Sequence, residues 1–264
     1  MCTILLALHC HPRYRLIVAA NRDEFFSRPS QPAGFWPEAP HVLAGRDLQE
    51  GGTWMGLTTH SSLAMLTNIR NPAAHRPDAA SRGRLVADFL LAEPEPVQYL
   101  RRLEATGPDF NGFNLIFGRI GELYSFNNRE GSGRLLKPGV HGLSNDRLNS
   151  SWPKVVRSRQ RLQSIVDRGD QIAFKELFDL LSDRTRPEDS LLPDTGVGLE
   201  TERLLSPVFI ESPGYGTRTS TVMLIDTQGR VDFMEQTHAP PTEKQGASSE
   251  NAPCVHFRLT LQPN

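Results

Sequence analysis

An α+β domain built on antiparallel sheet is the fold this sequence predicts, and three observations predict it. Two short β-rich runs open the chain, two amphipathic helical stretches occupy its middle, and a strong hairpin follows them. There is no internal repeat and no linker between independent cores, so residues 1–264 are expected to form one domain.

The first strands are residues 3–9 and 15–20 (RLIVAA), divided by HCHPRY, whose Pro12 suits a turn. The Pro- and Gly-rich stretch from Arg28 to Gly52 reads as a long surface loop. TWMGLTT and LAMLTNI form a second strand pair with Ser61 and Ser62 near the turn, and RNPAAHRPDAASRGR is a loop leading into a helix. Ser81 is the N-cap expected for LVADFLLAE; the stretch from Pro94 to Pro96 ends that helix, and VQYLRRLEATG starts another. FNLIFGRI, ELYSFNN and VHGLSN read as meander strands. WPKVVRSRQRLQSIVDRG places Val155, Val156, Leu162, Ile165 and Val166 on one helical stripe, and FKELFDLLSD repeats the pattern. Residues 184–206 are polar and Pro-containing, hence a loop, and STVMLID and RVDFMEQT flank a TQG turn. Residues 242–253 have the composition of a mobile loop, and CVHFRLTL closes the chain as a strand.

At 264 residues the chain is long enough to bury a core without disulfides or metals. With 29 Lys and Arg against 30 Asp and Glu the net charge is −1, so no overall field favours nucleic acid or an anionic membrane, and a small-molecule partner is expected. No run approaches the roughly 20 apolar residues that span a bilayer. The opening TILLAL is too short for a secretory signal, and Cys2, Cys10 and Cys254 are odd in number and widely spread, which fits a reducing, cytoplasmic setting. GGTW lacks the spacing of a nucleotide-binding loop, and tight backbone near Trp54 explains its glycines more simply. Of His9, Cys10 and His11 only the two histidines share a strand face, so no metal site is expected.

With the first turn centred between Pro12 and Arg13, paired positions sum to about 25 and Cys2 faces approximately Asp23. The second strand leaves as NRDEF, crowding Asn21, Arg22, Asp23 and Glu24 where the chain terminus lies. Removal of Met1 exposes an α-amine of pKa about 7.7–8.0 beside a thiol of pKa about 8.5, so the residue carries its own base. Arg22 favours thiolate, and Asp23 is placed to accept hydrogen bonds from the amine. The competing reading, the usual one for an unpaired cysteine judged by position alone, makes Cys2 a small buried apolar residue and NRDEF a solvated strand end.

MCTILLAL, NRDEF with the following SRP, GGTW and LTNIR together resemble the NRDE family, the transport-and-Golgi-organisation type proteins, over essentially the whole chain. That family is similar to the N-terminal nucleophile (Ntn) hydrolases of the bile-salt hydrolase and penicillin V acylase branch. The resemblance implies a four-layer αββα sandwich with two mainly antiparallel sheets. It also implies Cys2 as nucleophile, Asp23 as the group orienting the amine, Asn68 and Asn145 as oxyanion donors, and Arg218 as the late arginine of the set. Arg22 stands immediately before Asp23, where the hydrolases carry their arginine three residues earlier. Asn21, Trp54 and Arg70 complete the expected site as substrate-binding residues. Arg70, His75, Arg76, Arg82 and Arg84 make the following loop basic, fit to hold an acyl-CoA, a carboxylated amide or a porphyrin propionate.

Two functions are therefore expected in competition. In one, Cys2 cleaves a linear amide or related acyl bond through a thioester, with no cofactor required. In the other, which the family's association with lipid and haem handling implies, the scaffold binds a hydrophobic anion such as haem or acyl-CoA without turning it over.

Overall fold

A computed structural model describes residues 2–241 and 253–262 of the chain; the expected mobile loop at 242–253 lies outside the described residues except for Pro253. The N-terminal pair is β1 (Cys2–Leu8) and β2 (Tyr14–Phe25), followed by β3 (Ser30–Trp36), β4 (Ala39–Asp47), β5 (Met55–Thr58) and β6 (Ser62–Asn68). Helices α1 (Gly83–Ala92) and α2 (Pro96–Thr106) precede β7 (Phe113–Arg119), β8 (Glu122–Asn127), β9 (Ser132–Leu135) and β10 (Gly139–Leu143). Helices α3 (Pro153–Asp167), α4 (Phe174–Leu181) and α5 (Leu199–Leu205) lead to β11 (Tyr215–Asp226), β12 (Arg230–Thr237) and β13 (Cys254–Thr260).

The strands form two antiparallel sheets, one ordered β10-β1-β2-β11-β12-β13 and the other β3 to β9 in sequence. Strand periodicity then dictates the layers. Ile4, Leu6 and Leu8 of β1 pack with Leu43, Leu57 and Met65 of the second sheet, whereas Leu5 and Ala7 turn outward onto Leu162, Ile165 and Leu177 of α3 and α4. On the far side Phe117, Tyr124 and Phe126 meet Val86, Phe89 and Tyr99 of α1 and α2. The result is the αββα sandwich. It explains why β1 reads as an unbroken apolar run: both of its faces are covered. No helix among the described residues is long and apolar enough to cross a membrane.

Four expectations change. The presumed loop from Arg28 to Gly52 contains the hairpin β3–β4; β3 lies at a sheet edge, where Pro32 removes no needed donor, and its pairing slips between Gln31 and Gly34. Ser81 does not cap α1, whose N-cap is Arg82 with no side-chain bond to the helix. The polar stretch 184–206 holds the short helix α5. On α3, Val156 is 37% exposed while the rest of the stripe is buried, and Lys154 takes a buried place beside Val155.

Candidate active site

Cys2 is the first residue of β1, and its antiparallel partner across the rung is Arg22, one residue from the expected Asp23. The difference arises in the connecting turn, where His9 adopts a left-handed conformation (φ 49°). Cys2 and Arg22 thus share the face that looks between the sheets. Asp23 is held from β11, where Thr217 pairs with it and donates a hydroxyl bond of 2.7 Å to Oδ1. Tyr215 Oη donates to the Asp23 carbonyl at 3.2 Å.

A cleft of about 270 Å³ opens at this end of the sandwich, lined by Cys2, Arg22, Asp23, Trp54 and Asn68. Burial pushes the Cys2 thiol up, and the Arg22 charge opposes that. Burial also raises the Asp23 carboxyl, against the pull of the Lys154 ammonium and the Thr217 hydroxyl. Arg22 Nη2 lies 3.8 Å from Glu24 Oε2, and Glu24 in turn meets Arg28, which is paired to Asp47 at 2.5 Å. These alternating charges form one wall of the cleft.

Asn68 ends β6 and lines the cleft. Asn145 is buried behind it and spends its Nδ2 on the Asn68 carbonyl at 2.9 Å, while its own carbonyl accepts from Arg70 N at 2.8 Å. Ser144 Oγ lies 3.2 Å from both the Cys2 carbonyl and Asn145 Oδ1. The segment after β10 therefore ties the start of β1 to the end of β6, and Asn145 positions Asn68 rather than reaching into the cleft.

Three expected site residues are directed elsewhere. Asn21 is fully buried, donating to the carbonyls of Leu181 and Val208 at 2.9 and 3.0 Å and accepting from Ser220 Oγ at 2.7 Å. Arg218 sits in a β-bulge of β11 and donates Nη1 to the carbonyls of Phe25, Phe26 and Arg28, so it braces the loop after NRDEF instead of lining the cleft. Arg70 forms a buried ion pair with Glu202 and lies over the Trp152 ring at 4.9 Å, behind the cleft.

Other residues enter that the sequence reading did not assign. Lys154 is 2% exposed and donates Nζ to the Leu205 carbonyl at 3.0 Å; burial, together with the Arg70 charge, holds its pKa down to about 8 despite Asp23 and Cys2 nearby. Its position i, i+4, i+8 with Ser158 and Leu162 marks a lysine on an apolar stripe, which is a readable signal. Thr219 and Glu235, also unassigned, line the cleft together with His75 and Arg82 of the expected basic loop. The backbone of Gly52 lies against Gly83, so close that a Cβ there would fall 2.5 Å from the Gly83 carbonyl carbon; this contact docks the N-terminus of α1 at the cleft.

The family described as Transport and Golgi organisation 2 matches residues 1–240. The chain belongs to the Transport and Golgi organisation 2 family. Among its relatives, the Transport and Golgi organization protein 2 homologs of Bos taurus and Homo sapiens are 37% and 38% identical, in each case over 89% of this chain and 92% of theirs. The Transport and Golgi organization protein 2 of Drosophila melanogaster is 30% identical over 90% of this chain and 92% of its own length. The C2A mutant of the conjugated bile acid hydrolase from Clostridium perfringens superposes with a TM-score of 0.51 at 9% identity, covering 100% of this chain and 99% of that one. This likeness assigns the Transport and Golgi organisation 2 chain to the Ntn-hydrolase fold.

Proposed function

We propose that this chain, once Met1 is removed, is an N-terminal cysteine amidohydrolase that cleaves a linear amide or a related acyl bond. The observation that carries the reading is the convergence of Cys2, Asp23 and Asn68 on one cleft. The Cys2 thiol gives its proton to its own α-amine and the sulfur attacks the carbonyl carbon. Asp23 holds that amine in place, and the Asn68 side-chain amide receives the oxyanion, a contribution of roughly 3–4 kcal/mol when such a donor is preorganised. The C–N bond then breaks as the ammonium returns the proton to the leaving amine, and water hydrolyses the thioester to release the acid.

The test has two steps. Mass spectrometry of the protein from cells is expected to show the chain beginning at Cys2; retained Met1 removes the base and sinks the mechanism. Turnover of a panel of N-acyl amides is then expected to vanish in Cys2→Ala, and unchanged turnover would exclude Cys2 as nucleophile.

A second reading is favoured by the burial that pushes the Cys2 thiol up and by the transport theme in the family's description. Here the cleft retains a hydrophobic anion such as haem or an acyl-CoA and never turns it over. Saturable binding of either ligand, with no product after prolonged incubation, is the outcome that selects it.

A further inference from the structure

The arginines around the cleft are not equivalent. Arg22 faces Glu24, Arg28 is paired with Asp47, and Arg46 is paired with Glu38. Arg82 differs from all three. Its Nη1 donates to the Gly112 carbonyl at 3.1 Å, and among the described residues no carboxylate lies within ion-pair distance of it. A partly buried guanidinium with one neutral partner leaves most of its donor fork unspent. Burial lowers its pKa, and Cys2 and Glu24 act on it only from beyond ion-pair distance, opposed by Arg28.

Two further observations point the same way. Arg82 is the N-cap of the ten-residue helix α1, whose first turn carries no acidic residue and whose N-terminus has no side-chain cap. Ser81, Arg82 and Gly83 all line the cleft, so the positive end of the helix dipole faces it, although the Arg84 and Leu85 amides already donate to the Ser81 and Arg82 carbonyls. On the opposite sheet Thr219 is 9% exposed and lines the cleft, and its Oγ1 is buried with no hydrogen-bond partner among the described residues. A buried hydroxyl left without a partner is costly unless a ligand completes it.

From these we infer that the substrate carries its own anionic group, a carboxylate or a phosphate, which is received by Arg82 at the positive end of the α1 dipole with Thr219 completing the seat. The inference rests on the amidase reading for placing the scissile bond at Cys2. The cleft volume of about 270 Å³ falls just below the usual range for pockets that enclose drug-sized ligands, so the part of the substrate held inside is small.

Binding, rather than turnover, tests this directly. The full chain carrying Cys2→Ala is titrated calorimetrically with two matched pairs: N-acetylglycine against N-acetylglycinamide, and N-acetylethanolamine phosphate against N-acetylethanolamine. In at least one pair the anionic member is expected to bind about tenfold tighter than the neutral one, as one charged hydrogen-bonded contact provides. The pair that discriminates identifies carboxylate or phosphate as the source. Adding Arg82→Gln is expected to bring the ratio close to one, while Arg82→Lys keeps most of it. Should Arg82→Gln fail to fold, Thr219→Val serves instead and is expected to weaken the anionic probe without affecting the neutral one. Equal affinities with Arg82 in place, discrimination that survives both Arg82→Gln and Thr219→Val, or no measurable binding of either anion overturns the inference. Charge-selective binding by Cys2→Ala combined with no turnover by the processed wild type would instead leave the seat standing and remove the amidase reading.

Discussion

Glu93 offers a quantitative test of how the cleft-forming helix is anchored. It follows α1 in a left-handed conformation (φ 44°) and turns its carboxylate back onto the β5–β6 hairpin. Oε1 accepts from Thr58 Oγ1 at 2.6 Å, Ser62 Oγ at 2.7 Å and Arg119 Nη1 at 3.2 Å, and Oε2 lies 2.7 Å from His60 Nδ1. Burial alone would raise its pKa, but the bonds from Thr58, His60 and Ser62 prevail and bring it from 4.5 down to about 2. That gap corresponds to at most about 3 kcal/mol, and solvent at the partly open carboxylate screens it to about 1–2 kcal/mol. Since the folded value lies below the unfolded one, this stability is fully present above the unfolded value of 4.5 and is lost as pH falls toward about 2. Urea denaturation of wild type and Glu93→Gln is the assay. A gap of about 1–2 kcal/mol is expected at pH 7, shrinking steadily below pH 4.5. A gap that is absent at neutral pH, or that stays the same down to pH 3, refutes the reasoning.

Gly52→Ala is expected to lower the melting temperature and cost about 1–3 kcal/mol, because the new Cβ meets Gly83 backbone at 2.5 Å and neither side can yield cheaply. Asn145→Ala leaves the Asn68 carbonyl without its side-chain donor, at about 1–3 kcal/mol in denaturation; with a turned-over amide in hand, kcat should fall more than KM rises. For Lys154 the folded pKa of about 8 lies below the ordinary 10.5, so the unfolded chain binds more protons between them and stability rises with pH through that window. Comparing wild type with Lys154→Met at pH 7.5 and pH 10 should show that rise only in the wild type.

The α+β class is legible in the sequence because β1, β2, β6, β7 and β11 are apolar runs bounded by turn residues and α3 and α4 carry helical periodicity, whereas the αββα layering is implied only by the family resemblance. The β3–β4 hairpin is not, since an edge strand tolerates the Pro32 and Gly34 that read as loop. At the site, the hairpin register brings Cys2 to Arg22 and Asp23 within one residue of the observed pairing, whereas Asn68 is pointed to by the family resemblance. What escapes is set by contacts remote in sequence. Asn21 lies across the first hairpin from the nucleophile and Arg218 far along the chain on β11, yet the helical layer claims one and a β-bulge turns the other onto the loop after Phe25. Arg82 stands out from the other basic residues of its loop only when α1 is docked through Gly52 and Gly83 and its lack of an acidic partner becomes visible.

The seat of Cys2 has a practical side. β1 lies between β10 and β2, hydrogen-bonded to both, and its first residue forms part of the cleft wall. Any segment joined ahead of that residue is attached at the cleft wall and turns the Cys2 α-amine into an amide. A purification tag, a signal sequence or a fluorescent fusion at this end would therefore act as a tethered occupant of the cleft, whatever its own chemistry. Comparisons of wild type and variants belong on chains tagged at the other terminus, and a fusion at the first residue becomes a simple way of shutting the site in cells.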